Sequence, residues 1–174
     1  MLSRRTFIYT TFLTIFSPNI FSFSIKAAEK ADFNGVWVLD KEKSVNLPQI
    51  FTTVQEYLLI IKQDEKSITV STEFQGRGQK ISSEPDTFPI DGTKVEKADR
   101  RGFTQKRSFR YNENNELIVE TEKVFTGEVQ MPNSSENEIW NISQEGVLTI
   151  TITPKNDSEN KQVRVFNKKT QSGV

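Results

Sequence analysis

The side chains that could do chemistry in this sequence stand at alternate positions in two runs, Phe103-x-Gln105-x-Arg107-x-Phe109 and Ile118-x-Glu120-x-Glu122-x-Val124. A hairpin closed by a turn at 112–115 sets Phe109 against Ile118, Arg107 against Glu120, Gln105 against Glu122 and Phe103 against Val124. The apolar face of that hairpin then carries a polar belt between aromatic ends. Inward polar groups are costly unless paired or hydrated. Two readings follow: a cross-strand ion pair at a wet barrel mouth or on an exterior face, or a ligand pocket with apolar walls and a few convergent polar groups.

The sequence contains no cysteine and no histidine. Disulfides, thiolate metal sites and cysteine nucleophiles are therefore excluded, and the commonest general base and transition-metal ligand is missing. An enzyme would have to work with carboxylates, Lys, Tyr or Ser alone. A hydrolase or isomerase using carboxylates such as Glu120 and Glu122 would need one carboxyl pKa strongly raised in a cleft. That reading ranks last, with no catalytic residue assigned. No cofactor and no metal site are expected. Glu136 and Glu138 form another carboxylate pair, but i, i+2 residues on a strand merely share a face.

These residues are positioned by strands. From Phe33 onward apolar residues recur with period two and turn signals come about every ten residues, the pattern of short antiparallel strands. Strands are expected near 34–40, 54–63, 67–75, 86–91, 93–98, 103–111, 116–126, 136–144, 147–154 and 161–168. The connections Asp91-Gly92, Asn112-Glu113-Asn114-Asn115 and Glu145-Gly146 have turn chemistry. No apolar stripe at i, i+3, i+4 lasts three turns, so no long helix is expected, only a short helical turn around 45–51 broken by Pro48. A turn at 64–67 pairs Ile61 with Val70, Leu59 with Thr72 and Tyr57 with Phe74, all on one apolar face. The connection 126–135 is the least turn-like, and long connections often shape the mouth of a barrel.

The first 27 residues hold Arg4, Arg5 and Lys26, an apolar middle and a small-residue end at Ala27-Ala28. That is the layout of an export signal, and Pro18-Asn19 inside a short apolar span argues against an uncleaved anchor. Ser3-Arg4-Arg5-Thr6-Phe7-Ile8 resembles the twin-arginine motif of bacterial export signals. It departs at Tyr9, where that motif often has Lys. The expected organisation is a signal at 1–27 cut after Ala27, a linker at 28–32, one domain at 33–169 and a tail at 170–174. Membrane contact is expected only through the signal if it is uncleaved. Of 23 basic and 23 acidic residues the signal takes three basic ones, leaving 20 against 23. A domain with a net charge of about −3 has no reason to condense on phosphate backbones, so nucleic acid is not an expected partner.

Phe33-Asn34-Gly35-Val36-Trp37-Val38-Leu39-Asp40, with Ser44 following, resembles the opening strand of lipocalins and the wider calycin barrels. The longer pattern, continued by Pro89-Ile90-Asp91-Gly92, Trp140, residues 148–152 and a basic, aromatic last strand, looks like exported bacterial lipocalin-like domains. The likeness spans nearly all of 33–169 through short motifs. It implies an antiparallel up-and-down meander of 8–10 strands, closed or nearly closed into a barrel. It also implies a fold-signature pair, Trp37 packed under Arg164 of the last strand. The helix that follows a lipocalin barrel is missing from the pattern. On this basis the chain is expected to be a periplasmic or secreted module for a small apolar or amphipathic ligand. Its expected lining is Tyr57, Phe74, Phe103, Arg107, Phe109, Glu120 and Trp140. The alternative is a structural or protein-interaction module of the bacterial envelope, its barrel filled by its own side chains.

Overall fold

A computed structural model describes residues 30–76, 78–98, 102–125 and 132–170. The expected export segment, Arg100-Arg101 and residues 126–131 of the long connection lie outside the described residues. Eleven strands and one short helix follow in chain order: β1 (Gly35–Val45), α1 (Gln49–Thr53), β2 (Glu56–Gln63), β3 (Ser67–Gly76), β4 (Gln79–Ser82), β5 (Asp86–Pro89), β6 (Val95–Ala98), β7 (Phe103–Tyr111), β8 (Leu117–Phe125), β9 (Ser134–Ile142), β10 (Val147–Pro154) and β11 (Gln162–Lys168). They form one antiparallel sheet in the order β4-β3-β2-β1-β11-β10-β9-β8-β7-β6, with β5 also paired to β3. The first and last long strands are thus neighbours, as in a meander rolled into a barrel. Among the described residues no helix is long and apolar enough to cross a membrane.

The two ends of the sheet meet without a full ladder. An isolated bridge joins Asp91 to Arg110, and the Gly92 N–H donates to the Phe109 carbonyl at 2.9 Å. Phe88 of β5 stacks on Phe109 of β7 at 4.6 Å, and Lys97 of β6 reaches Asp86 of β5 at 2.5 Å. The barrel is nearly closed rather than closed. β4 and β5 act as one interrupted strand along β3, broken at Ser83, Glu84 and Pro85. The piece Gln79–Ser82 is exposed throughout and lacks apolar alternation, so periodicity gave no sign of it.

The β2–β3 hairpin has the expected register, with Ile61 facing Val70, Leu59 facing Thr72 and Tyr57 facing Phe74. The Gly-x-Trp opening has a physical cause. Gly35 has φ of 142°, and a Cβ there would lie 2.8 Å from Cε of Lys168. The missing side chain lets the Lys168 stem cross and set its ammonium 5.3 Å from the Trp37 ring centre. Trp37 Nε1–H donates to the Phe33 carbonyl at 2.9 Å, anchoring the closed end. Further along β1, Asp40 and Ser44 shape the irregularity between Asp40 and Val45. Ser44 Oγ donates to the Asp40 carbonyl at 2.5 Å and accepts the Val165 N–H at 3.0 Å, taking the place of a ladder bond.

Pro48 starts the short helix rather than breaking it. It is the N-cap residue of α1, and its fixed φ suits a helix entrance. β1 meanwhile continues to Val45, so the helical turn lies later than the expected 45–51.

The β7–β8 hairpin corrects the expected register. Its loop has five residues: the Asn112 N–H bonds to the Glu116 carbonyl at 3.0 Å, the Asn115 N–H bonds to the Asn112 carbonyl at 3.1 Å, and Asn115 takes φ of 59°. The Ser143–Val147 loop repeats both bonds, with Gly146 at φ of 75°. An odd loop moves every β8 side chain to the opposite face from the one a four-residue turn predicts. The observed pairs are Phe109 with Val119, Arg107 with Thr121, Gln105 with Lys123 and Phe103 with Phe125. Because asparagine tolerates this left-handed position and β-branched residues do not, Asn115→Val is expected to lower stability by about 1–2 kcal/mol. Asn115→Gly is expected to match or slightly exceed the native chain. Urea unfolding of the three proteins measures both effects.

Candidate ligand cavity

The lower half of the barrel is packed solid. Phe33, Trp37, Phe109, Leu117, Leu148 and Phe166 are all fully buried, with Trp140 joined edge-on to Phe33 and Phe109 at 6.1 and 5.9 Å. Above this floor a cavity of about 120 Å³ is lined by Tyr57, Leu59, Val70, Thr72, Arg107, Glu138, Trp140, Ile150, Arg164 and Phe166. Phe51 of α1 roofs it, edge-on to Tyr57 at 4.8 Å and 4.4 Å from the Arg164 guanidinium. The lining follows the period-two rule: Tyr57 and Leu59, Val70 and Thr72, Glu138 and Trp140, and Arg164 and Phe166 are i, i+2 pairs on inward faces.

The cavity has an apolar wall and a charged one. Arg107 donates to Glu138 Oε1 at 3.1 Å and to Thr121 Oγ1 at 3.2 Å, and lies 5.0 Å from the Phe109 ring centre. Glu138 Oε2 accepts the Trp140 Nε1–H at 2.7 Å, so both carboxylate oxygens are engaged. Arg164 differs. It donates to Gln162 Oε1 at 3.1 Å, but its buried Nε–H has no partner among the described residues. Burial pushes the Arg164 guanidinium below its ordinary value, opposed by the field of Glu138 and Tyr57. Burial likewise pushes the Tyr57 hydroxyl upward. The lining therefore holds two cations and one anion, and the anion is committed to Arg107.

Of the side chains expected from the sequence, Tyr57, Arg107 and Trp140 line this cavity. Phe74 stacks on Tyr57 at 6.4 Å just beyond the lining, and Phe109 is part of the floor beneath it. Phe103 instead packs against Phe125 at 4.9 Å. Glu120 stands on the outer face, 3.5 Å from Arg110, because the hairpin register is inverted. Glu122 is also outside, and its hydrogen bond from Lys94 holds its carboxyl below the usual range, the opposite of what a general acid needs. Arg164 does not cover Trp37. Lys168 does, since it sits directly across the β1–β11 ladder from Trp37, and Arg164 covers Phe51 instead. Not anticipated as cavity residues were the polar Glu138, Thr72 and Arg164 and the apolar Leu59, Val70, Ile150 and Phe166. Glu138 could have been found from Trp140, whose inward ring places the residue two positions earlier on the same face. Among the described residues no group of three carboxylates, cysteines or histidines could hold a metal.

No protein-family model matches the sequence, and no curated protein matches it. The structure has solved neighbours. It superposes on the Schistosoma mansoni fatty acid binding protein in complex with arachidonic acid with a TM-score of 0.55 at 18% identity, covering 79% of this chain and 96% of that one. The fatty-acid-binding protein from brain tissue of Drosophila melanogaster gives 0.52 at 16% identity, covering 78% and 99%. A point mutant of the fluorescent protein UnaG gives 0.55 at 17% identity, covering 80% and 97%. The fold is that of the fatty-acid-binding proteins. It is a calycin-type barrel, as the Gly-x-Trp strand implies, with eleven strands among the described residues where 8–10 were expected. At these identities the likeness concerns the backbone, and any ligand must be argued from the cavity itself.

Proposed function

We propose that this chain is an exported binding module that holds a small amphipathic anion, its carboxylate against Arg164 and its apolar part against Leu59, Val70, Ile150 and Phe166. The observation that carries the reading is the half-buried Arg164 guanidinium beside a cavity, its fully buried Nε–H without a partner among the described residues. Buried donors without acceptors are rare in folded proteins and costly, and a carboxylate supplies the acceptor geometry that a guanidinium fits. Neighbours of the same fold include one in complex with arachidonic acid, which is itself a carboxylate on an apolar body. Export through the first 27 residues is part of the same proposal.

A second reading is favoured by the packed floor: a structural or interaction module of the envelope, whose barrel is largely filled by its own side chains. Calorimetric titration with hexanoate and with hexanol separates the two. Saturable binding of the acid, at least about tenfold tighter than the alcohol, is the expected result, since a charge-assisted hydrogen bond is worth about 1.5–3 kcal/mol. Equal, weak uptake of both would favour the filled barrel.

A further inference from the structure

We infer that the ligand class is a compact monocarboxylate, with an apolar part no larger than about one six-membered ring or a chain of about six carbons. The inference rests on the binding proposal above and deepens it in two respects, size and charge.

Size follows from the space between the side chains of the floor and the roof. The described residues leave about 120 Å³ between the floor and Phe51. An apolar cavity of about 150 Å³ takes up benzene, and sites for larger ligands run from about 300 Å³ upward. Extension downward meets Trp140 and Phe166, both essentially buried, with Phe109 and Leu117 behind them. A long acyl chain would have to displace the packed floor, and close-packed interiors resist such displacement.

Charge follows from the pairing. Arg107 and Glu138 pair at 3.1 Å, which leaves the described residues of the lining with one net positive charge, carried by Arg164 and softened by the fields of Glu138 and Glu136. One negative charge balances it. A second carboxylate on the same ligand would face Glu138, and like charges in a low-dielectric site repel strongly. Glu138 is therefore a specificity-determining residue that keeps Arg107 away from the ligand and sets the accepted charge at one.

The test is calorimetric titration of the mature protein and of Glu138→Gln with butanoate, hexanoate, benzoate, hexadecanoate, succinate and phthalate. Glutamine keeps an acceptor for Trp140 and a polar contact for Arg107, and thermal melts verify that the variant folds. For the native protein, hexanoate and benzoate are expected to bind tightest, hexadecanoate about tenfold weaker or not at all, and the dicarboxylates not measurably. In Glu138→Gln, succinate or phthalate affinity is expected to rise about tenfold or more, and by a larger factor than benzoate affinity, which also gains from the lost negative charge. Hexadecanoate binding as tightly as hexanoate would overturn the size limit and leave the binding proposal standing. Native protein that takes mono- and dicarboxylates alike would overturn the role of Glu138. Failure of every carboxylate, of any length, would remove the binding proposal itself.

Discussion

Arg164→Met is expected to weaken carboxylate binding by about a hundredfold while leaving the protein at least as stable as the native chain. The two halves of this result come from the same side chain. Without a bound carboxylate the guanidinium is half-buried, has one hydrogen bond from its fork to Gln162 and leaves its buried Nε–H without an acceptor among the described residues. An unsatisfied buried donor costs about 1–3 kcal/mol, against about 0.5–2 kcal/mol returned by its packing over Phe51. Methionine keeps most of the stem volume and the contact with Phe51 and removes the orphaned donor. Stability should therefore rise by up to about 1 kcal/mol. Binding loses the charge-assisted contacts, and removing one partner of a desolvated charge pair costs about 2–5 kcal/mol, the middle of which is about a hundredfold or more. Arg164→Lys should fall between, because an ammonium lacks the planar fork. Calorimetric titration with benzoate, together with urea unfolding, reads both quantities. A variant that binds benzoate as well as the native protein would place the anion elsewhere.

This opposition of stability and binding at one residue explains why part of the site was legible in the sequence and part was not. Strand period and burial follow from local rules. Alternation marked the inward faces of β2 and β3 correctly, and their register emerged residue by residue because one-sided burial penalises any slip. Trp140, Tyr57 and Arg107 were found as inward residues for the same reason. The hairpin at Asn112–Glu116 defeated the rule because its outcome turns on one backbone angle. Asn115 in the left-handed region adds a residue to the loop, and that single residue sends Glu120 outward and Thr121 inward. Gly146 marks the same left-handed position openly, since glycine is the default there, whereas asparagine in a run of asparagines and glutamates gives no such mark. Even so, the expected strands 136–144 and 147–154 left two loop residues where the structure has five. The cation over Trp37 was a question of position across a ladder: both Arg164 and Lys168 are basic residues of the last strand, and only the β1–β11 pairing sets Lys168 opposite Trp37. The meeting of Glu138 with Arg107, 31 residues apart in sequence, depends on β7 and β9 both flanking β8, which no local pattern encodes.

That meeting makes the loss of Glu138 costly. Glu138→Ala is expected to destabilise the protein by about 3 kcal/mol, because the Arg107 charge stays buried without its partner. The pair is well enough shielded for this figure to apply, with side-chain exposures of 19% for Arg107 and 10% for Glu138. The Trp140 Nε1–H loses its acceptor in the same change, an added cost of about 1 kcal/mol unless water enters the vacated space. For a barrel of this size the sum corresponds to a fall of about 10 °C in melting temperature. Replacing both partners, Arg107→Met with Glu138→Leu, should recover most of the loss, since a buried ion pair exchanged for apolar groups of similar volume is often neutral or better. The double variant thus separates two roles of the pair. If it regains stability and still binds monocarboxylates through Arg164, the Arg107–Glu138 pair serves charge selection rather than folding. A Glu138→Ala protein within about 0.5 kcal/mol of the native chain would show instead that Arg107 finds water or another acceptor at the cavity mouth. The cavity would then be wetter than its apolar walls imply, and the preference for a single negative charge would lose its basis.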